Sequence, residues 1–288
     1  MIPLLLLCLC LASPLWARSG MAYLQLPAGA RAAALAEAGV ALPDEDALSA
    51  NPAALQSAGR TVGLGHSEWV QDLRHEYLTL LWGREQRVLG LAIQLSHTGQ
   101  LEHRTGPSAE PLGEFGVYEG ALNLAYARSW SPRLRVGLNL KLLRQAVYTA
   151  TATGAALDLG LLYQLRPDLR LGGAVRQLGR MNKLEQNATP LPRTLAAGLV
   201  YTGLPRLLLS GEVRHADEGV TLHLGAEWQA AASLALRGGY QSAEGRGLAL
   251  GLGLKREAWA LDYALVPLSA DLGTAHRLSL YLHRGAAP

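Results

Sequence analysis

The chain has 288 residues, 49% hydrophobic and 17% charged, with a formal net charge of +3, enough for one large domain or two small ones, one being the simpler organisation. The cations are spread along the chain without a Lys/Arg block, which excludes the electrostatic footprint of a nucleic-acid binder. Both cysteines, Cys8 and Cys10, lie in the opening segment, so if that segment is removed the rest has no disulfide, thiolate nucleophile or cysteine-ligated metal.

That opening segment, Met1 to Ala17, is Leu-rich, broken by Pro3 and Pro14, and followed by Arg18-Ser19-Gly20. It reads as a secretory signal peptide, residues 1–17, cleaved near Ala17, although no Lys or Arg precedes its apolar core. Residues 18–59 do not alternate. They hold an Ala-rich, helix-prone piece from Gly29 to Ala38, the acidic run Asp44-Glu45-Asp46 and the turn-prone Asn51-Pro52-Ala53. A piece of roughly 40 residues is too small to fold alone and must pack on something.

From Thr61 onward, apolar residues recur at every second position. Leu134, Val136, Leu138, Leu140 and Leu142 alternate with Arg133, Arg135, Gly137, Asn139 and Lys141, the period of a strand with one greasy and one polar face. No later run reaches the roughly 18 apolar residues of a membrane-spanning helix. The first half reads as strands near Thr61 to Trp69, Leu73 to Trp82, Val88 to His97, Val117 to Trp130, Arg133 to Tyr148, Gly154 to Leu165 and Leu169 to Leu178. The second half continues with Arg193 to Thr202, Arg206 to Arg214, Val220 to Gln229, Ser233 to Tyr240, Arg246 to Lys255, Ala258 to Val266 and Thr274 to His283.

Alternation alone also suits a soluble sandwich; connection lengths discriminate better. Links such as Ser131-Pro132, Arg166-Pro167-Asp168 and Arg256-Glu257 are tight, and they alternate with longer ones, notably Thr98 to Gly116, Thr149 to Thr153, Gly179 to Pro192 and Pro267 to Gly273. Short turns on one side and long loops on the other are the habit of a bacterial outer-membrane barrel. The aromatic residues agree: there is one Phe against six Trp and ten Tyr, and Trp69, Trp82, Trp130, Tyr163, Tyr201, Trp228, Tyr240 and Trp259 fall near strand ends, where amphipathic rings form interfacial girdles. The expected fold is all-β, a transmembrane antiparallel barrel of about fourteen strands over residues 60–284 with a tail at 285–288. Its lumen is wide enough to take residues 18–59 as an amino-terminal plug.

The run Leu24 to Ala34, with Gly29, Ala30 and Arg31 at its centre, then Ala38 to Ala41, Asp44 to Ala47 and Asn51-Pro52-Ala53-Ala54-Leu55, resembles the amino-terminal block of the PorV/PorQ family. That family belongs with the FadL-like long-chain fatty-acid transporters of the outer membrane. The stretch Leu261 to Pro267, with Leu272-Gly273 and His276 to Leu280, is similar to the family's closing hairpin. The resemblance implies a fourteen-stranded barrel whose amino-terminal segment enters the lumen, located in the bacterial outer membrane. It further implies one of two roles, passage of hydrophobic small molecules or cargo handling with proteins of a type IX-like secretion system. Ser49-Ala50 departs from the family's aromatic-containing dipeptide, and the last strand does not end on an aromatic residue.

Among candidate sites, Asp44, Glu45 and Asp46 offer paired carboxylates or a hard-metal cluster, against the plainer reading of a solvated loop capping a turn near Ala47. Asn51-Pro52-Ala53 reads as a structural turn in which Asn51 bonds backbone groups. Glu119, Asn123, Arg135, Asn139, Lys141 and Asp262 fall on the lumen side of the alternation. They either line a solute path or pair among themselves, the second being favoured because charges in a narrow lumen need partners. The scattered histidines show no metal-site spacing, Gly251-Leu252-Gly253 precedes no helix, and Asn187-Ala188-Thr189 fits a glycosylation sequon of little meaning in a bacterial loop. No catalytic group, metal or cofactor is expected, and the expected partners are outer-membrane lipid with either hydrophobic small molecules or secretion proteins. A barrel that only anchors partner proteins is the rival function.

Overall fold

A computed structural model describes residues 20–285 except 70, 71, 108, 109, 185, 187–189, 218, 270 and 271. The signal-peptide expectation at residues 1–17 and the sequon at Asn187-Ala188-Thr189 therefore lie outside the described residues.

Fourteen strands form one closed antiparallel barrel: β1 (Arg60–Glu68), β2 (Arg74–Arg84), β3 (Arg87–His103), β4 (Gly113–Ser129), β5 (Leu134–Val147), β6 (Ala150–Arg166), β7 (Leu169–Met181), β8 (Thr194–Leu204), β9 (Leu207–Ala216), β10 (Gly219–Ala231), β11 (Leu234–Gln241), β12 (Leu248–Lys255), β13 (Trp259–Pro267) and β14 (Thr274–Arg284). Each strand pairs with its sequence neighbours, and β1 pairs with β14 from Arg60 opposite Arg284 to Glu68 opposite His276. Closure leaves no sheet edge around the middle of the wall.

The face that is turned outward separates this barrel from a soluble sandwich. In β5, Leu138, Leu140 and Leu142 are 43%, 43% and 54% exposed, whereas Asn139 and Lys141 are 0% and 3% exposed. The apolar phase of the alternation points away from the interior and the polar phase into it, the reverse of a water-soluble core. Outward Leu64, Leu89, Ile93, Leu124, Leu161, Leu199, Leu224, Leu250 and Leu278 continue the same band around the circumference.

Two stretches read as loops are built differently. Most of Thr98 to Gly116 extends β3 and β4, leaving only 104–112 as a hairpin tip; the pairing resumes from Leu101 opposite Phe115 after an irregularity at Thr98. Gln100, at φ +56°, turns in the left-handed region there, and an interrupted alternation of this kind reads as loop. Of Thr149 to Thr153 only Thr149 belongs to a link, the two-residue Tyr148-Thr149, and the rest opens β6. Trp69 is not a girdle residue. Arg246 and Arg277 stand over its ring, their guanidinium carbons 5.0 and 4.9 Å from the ring centre. Trp82, Trp130, Tyr163 and Trp228 are exposed at the tight-turn end.

The Ala-rich piece forms only one short helix, α1 (Ala30–Ala34). It stops because Ala36 and Glu37 both take left-handed backbone, φ 50° and 67°, a conformation that ends helices and disfavours residues bearing a Cβ. Short 3-10 turns follow at Ala47–Ser49 and Pro52–Ala54. From Met21 to Leu55 the segment is largely buried.

Candidate functional site

The inward face of the barrel and the segment from Gly20 to Gln56 form a single bonded surface. Asn51 is fully buried; its Nδ2 donates to the carbonyls of Val40 (2.6 Å) and Leu161 (2.9 Å), and its Oδ1 accepts from the Ala53 amide (2.9 Å). Pro52 begins the following 3-10 turn, where no amide hydrogen is needed. The wall admits this turn because Gly160 and Gly137 face it: a Cβ on Gly160 would overlap the Asn51 side chain, and one on Gly137 would overlap the Pro52-Ala53 backbone.

Toward the tight-turn end, Arg31 joins the segment to the wall. It pairs with Asp44 (2.8 Å) and Glu227 of β10 (2.7 Å), and Glu227 also takes Arg237 of β11 (2.6 Å), which reaches Asp262 of β13. The acidic run is therefore not a solvated loop. Asp44 is consumed by Arg31, Glu45 lies 2.6 Å from His283, and Asp46 is 2% exposed. Burial, reinforced by the neighbouring Asp44 carboxylate, pushes the Asp46 carboxyl well above its ordinary value beside Tyr77 and Tyr281. Asp46 occupies the position preceding the Ala47 turn, yet its side chain does not cap it. Gly29 lies directly beneath Asp46, where a Cβ would overlap its Oδ2, and the Ala30 amide donates to Ser279 Oγ (2.9 Å).

A second network holds the left-handed turn. Glu37 is paired with Arg214 of β9 (2.6 Å) and Arg246 (2.8 Å), Arg214 also binds Glu212 (2.8 Å), and Glu212 accepts the amides of Gly39 (3.0 Å) and Val40 (2.9 Å). His223 Nδ1 lies 2.7 Å from the Ala36 carbonyl. None of Glu37, Glu212, Arg214, Glu227, Arg237 or Arg246 stands out in the sequence as a site. The available signal was their phase: those on strands occupy the inward positions of the alternation.

The polar residues that alternation does single out are distributed over the wall. Asn139 bridges Asn123 (3.2 Å) and Asp158 (3.1 Å), and Asp158 pairs with Lys141 (2.7 Å). Glu119 accepts from Gln145 (2.8 Å), Arg135 donates to the Leu55 carbonyl (2.8 Å), and Asp262 pairs with Arg237. Asp158 also accepts the amide of Gln177 (2.8 Å), at a bulge where Arg176 and Gln177 stand opposite a single β6 residue.

Toward the long-loop end the interior turns apolar. Met21, Tyr23, Leu24 and Leu26 pack against inward Ala121, Leu143, Ala152, Ala156 and Met181, with Leu191 beside them. The wall steps down at this point: β7 pairs with β8 only as far as Arg176 opposite Thr194, while it continues with β6 to Met181. Among the described residues, 178–181 have no strand partner on the β8 side, over about 13 Å along the barrel. The apolar side chains of this cluster, Leu24, Leu143 and Met181 among them, suit an apolar solute, which needs no hydrogen-bonding partner from the wall. Among the described residues no group of three or more His, Cys, Asp or Glu side chains comes together to hold a metal.

No protein-family model matches the chain and no curated protein sequence does. Solved structures do share its fold. The CymD monoaromatic hydrocarbon channel is similar with a TM-score of 0.72 at 14% identity, over 90% of this chain and 98% of that one. The toluene transporter TodX of P. putida gives 0.69 at 12% identity, over 89% and 99% of the two chains. A FadL homologue of Pseudomonas aeruginosa gives 0.62 at 11% identity, over 89% and 98%. The chain is a closed fourteen-stranded antiparallel β-barrel of the architecture those FadL-like channels have.

Proposed function

We propose that the chain is a non-enzymatic barrel of the bacterial outer membrane that passes hydrophobic small molecules, with residues 18–59 plugging the barrel formed by 60–284. One observation carries this reading: the apolar interior cluster around Met21, Leu24 and Leu143 reaches Met181, at a stretch of β7 that has no β8 partner among the described residues. The cluster is packed closed, with Met21, Leu24 and Leu143 1%, 4% and 3% exposed, so an apolar solute arriving from the long-loop end would part these side chains to move sideways toward the outward Leu band. The ion-paired centre of the plug opposes passage straight along the axis. The fold likeness to hydrocarbon channels supports the same solute class.

The test is uptake of a labelled monoaromatic hydrocarbon by cells that lack other such channels. Expression of the full chain is expected to raise uptake above vector controls, and Met181→Lys is expected to return it to the control level while the heat-dependent gel mobility of the folded barrel is kept. Uptake indistinguishable from vector controls would refute the transport reading.

The PorV-like reading as a cargo-handling component, and the related one as an anchor for partner proteins, draw on a different feature. β3 and β4 run 17 residues each, past the roughly 9 to 11 that cross a membrane, with Tyr118 exposed on β4 and Leu112 exposed on the tip between them. Deleting the tip at 104–112 separates the readings: uptake persists if the chain is a channel, whereas a partner that co-purifies with the intact chain is lost if it is an anchor.

A further inference from the structure

The tight-turn end of the barrel is strongly cationic. Arg84 and Arg87 flank its first turn, Arg128 and Arg133 its second, and Arg166 and Arg206 the next two; Lys255, Arg256, Arg60 and Arg284 complete the rim. All are exposed, and only Glu85, Asp168 and Glu257 oppose them among the described residues. The long-loop end has no such excess: exposed Glu68, Asp72, Glu76, Glu102, Glu114 and Asp217 more than offset Arg74, Arg144, Arg180, Lys183 and Arg193. The net charge of +3 conceals this polarity.

Three of the arginines share one rung of the sheet. Arg84 lies directly opposite Arg87, and Arg87 directly opposite Arg128. All three point outward, since Val88 and Ala127 beside them are buried on the inner face. Like charges directly opposite each other repel, and among the described residues no carboxylate lies within ion-pair distance of any of the three. Together with Glu85 and Gln86 they line a cleft of about 330 Å³. The next outward rung, one pleat into the apolar band, is Trp82 opposite Leu89 opposite Tyr126, followed by Leu80, Leu91 and Leu124. Three guanidiniums that lack a counter-anion thus stand at the foot of an interfacial aromatic rung and an apolar ladder, the sequence of environments along one phospholipid from phosphate to acyl chain.

We infer that Arg84, Arg87 and Arg128 form a binding site for the phosphate of an anionic phospholipid in the leaflet at the tight-turn end, its acyl chain lying along Trp82, Leu89 and Leu91. The inference rests on the membrane placement proposed above but not on transport. The planar guanidinium fork suits a phosphate diester, and two such sources exist, a lipid headgroup and soluble phosphate. The continuity of the site with the apolar ladder selects the lipid.

The experiment uses the full chain in phosphatidylcholine vesicles. Trp82 fluorescence is isolated by subtracting a Trp82→Phe variant, and dibrominated phosphatidylglycerol or dibrominated phosphatidylcholine is titrated in as quencher. Half-maximal quenching by phosphatidylglycerol is expected at a mole fraction roughly fivefold lower than by phosphatidylcholine, with the preference shrinking as salt is raised. It is expected to vanish in the triple Arg84→Gln, Arg87→Gln, Arg128→Gln variant, to persist in the triple Lys variant, and to survive millimolar inorganic phosphate. Equal quenching by the two lipids overturns the site, and so does a preference that the triple Gln variant or high salt leaves unchanged; should the Gln variant not fold, the salt series decides. Loss of the preference to inorganic phosphate overturns the lipid assignment. Quenching by neither lipid is a different failure, that of the membrane placement itself.

Discussion

Glu37 and Arg214 form an ion pair of 2.6 Å that ties the amino-terminal segment to β9, at the second of two consecutive left-handed residues. Both groups are nearly removed from solvent, so removing Glu37 leaves Arg214 buried with one carboxylate partner, Glu212, in place of two, at a cost of about 2 kcal/mol. The strained turn at Ala36 and Glu37 would also lose the contact that holds it. Glu37→Ala is therefore expected to lower the midpoint of urea unfolding markedly in detergent micelles, and adding Arg214→Met with Glu212→Gln, which leaves neither Arg214 nor Glu212 as a stranded charge, to recover part of the loss. A triple variant no better than Glu37→Ala alone would show that these groups are not coupled.

Acid should act through the same carboxyl. Burial works to raise the Glu37 carboxyl, but the Arg246 and Arg214 guanidiniums outweigh it and hold the group at about 2 instead of its ordinary 4.5. Because the folded value lies below the unfolded one, the contribution, roughly 3 kcal/mol, is complete above pH 4.5 and drains away as pH falls toward 2. Unfolding midpoints measured across that window should fall steeply for the natural chain and much less for Glu37→Gln. Parallel curves for the two would remove Glu37 as the acid-sensitive group.

The strand framework was legible because it is repetitive: Leu138, Leu140 and Leu142 declare their face by period alone, and tight turns such as Ser131-Pro132 announce their positions chemically. The left-handed turn was not. Nothing local in Ala-Glu-Ala argues against continuing a helix, and what ends α1 is contact with Arg214 and His223, residues more than 170 positions away. The solvated reading of Asp44 to Asp46 failed for the same reason, since Arg31, His283 and Tyr281 enclose it only after the barrel has closed. Asn51-Pro52-Ala53 was legible as a turn, but its contact with the Leu161 carbonyl required the wall.

Asn51 should be among the least replaceable residues of the segment. Its amide bonds the carbonyls of Val40 and Leu161 at once, and Asn51→Ala takes their bonds from the buried Val40 carbonyl and Ala53 amide and one donor from the Leu161 carbonyl, worth about 3 kcal/mol in all. Gly160→Ala should do comparable damage by displacing the Asn51 side chain rather than deleting it. Limited proteolysis of the folded barrel checks both: cleavage within residues 20–56 should appear in the variants and be absent from the natural chain.

Asp46 should respond oppositely to most buried polar residues. Burial and the adjacent Asp44 carboxylate raise its carboxyl well above the ordinary value, so just above the ordinary carboxyl range the unfolded chain releases a proton more readily than the folded one. The group therefore opposes folding at neutral pH, increasingly as pH rises. Asp46→Asn keeps the shape without the proton exchange and is expected to raise the temperature at which the gel-mobility shift occurs at pH 7. A lower shift temperature for the Asn variant would mean that Asp46 is ionised in the folded barrel.

Neighbouring positions on β4 should differ in what they tolerate because they face different solvents. Leu124 is 49% exposed on the outward band and pairs with Leu91 and Leu140, whereas Asn123 is buried against Asn139 on the inner face. In a membrane, Leu124→Arg places a cation among acyl chains, costing about 2 to 4 kcal/mol near mid-depth, while in water the same change on an exposed site would be nearly neutral. Asn123→Leu costs the inner network one acceptor wherever the barrel resides. Folding yields into phospholipid vesicles should therefore fall sharply for Leu124→Arg, and in a lipid-free refolding buffer that variant should show no special defect. Equal yields for the natural chain and Leu124→Arg in vesicles would mean that the Leu band does not face lipid.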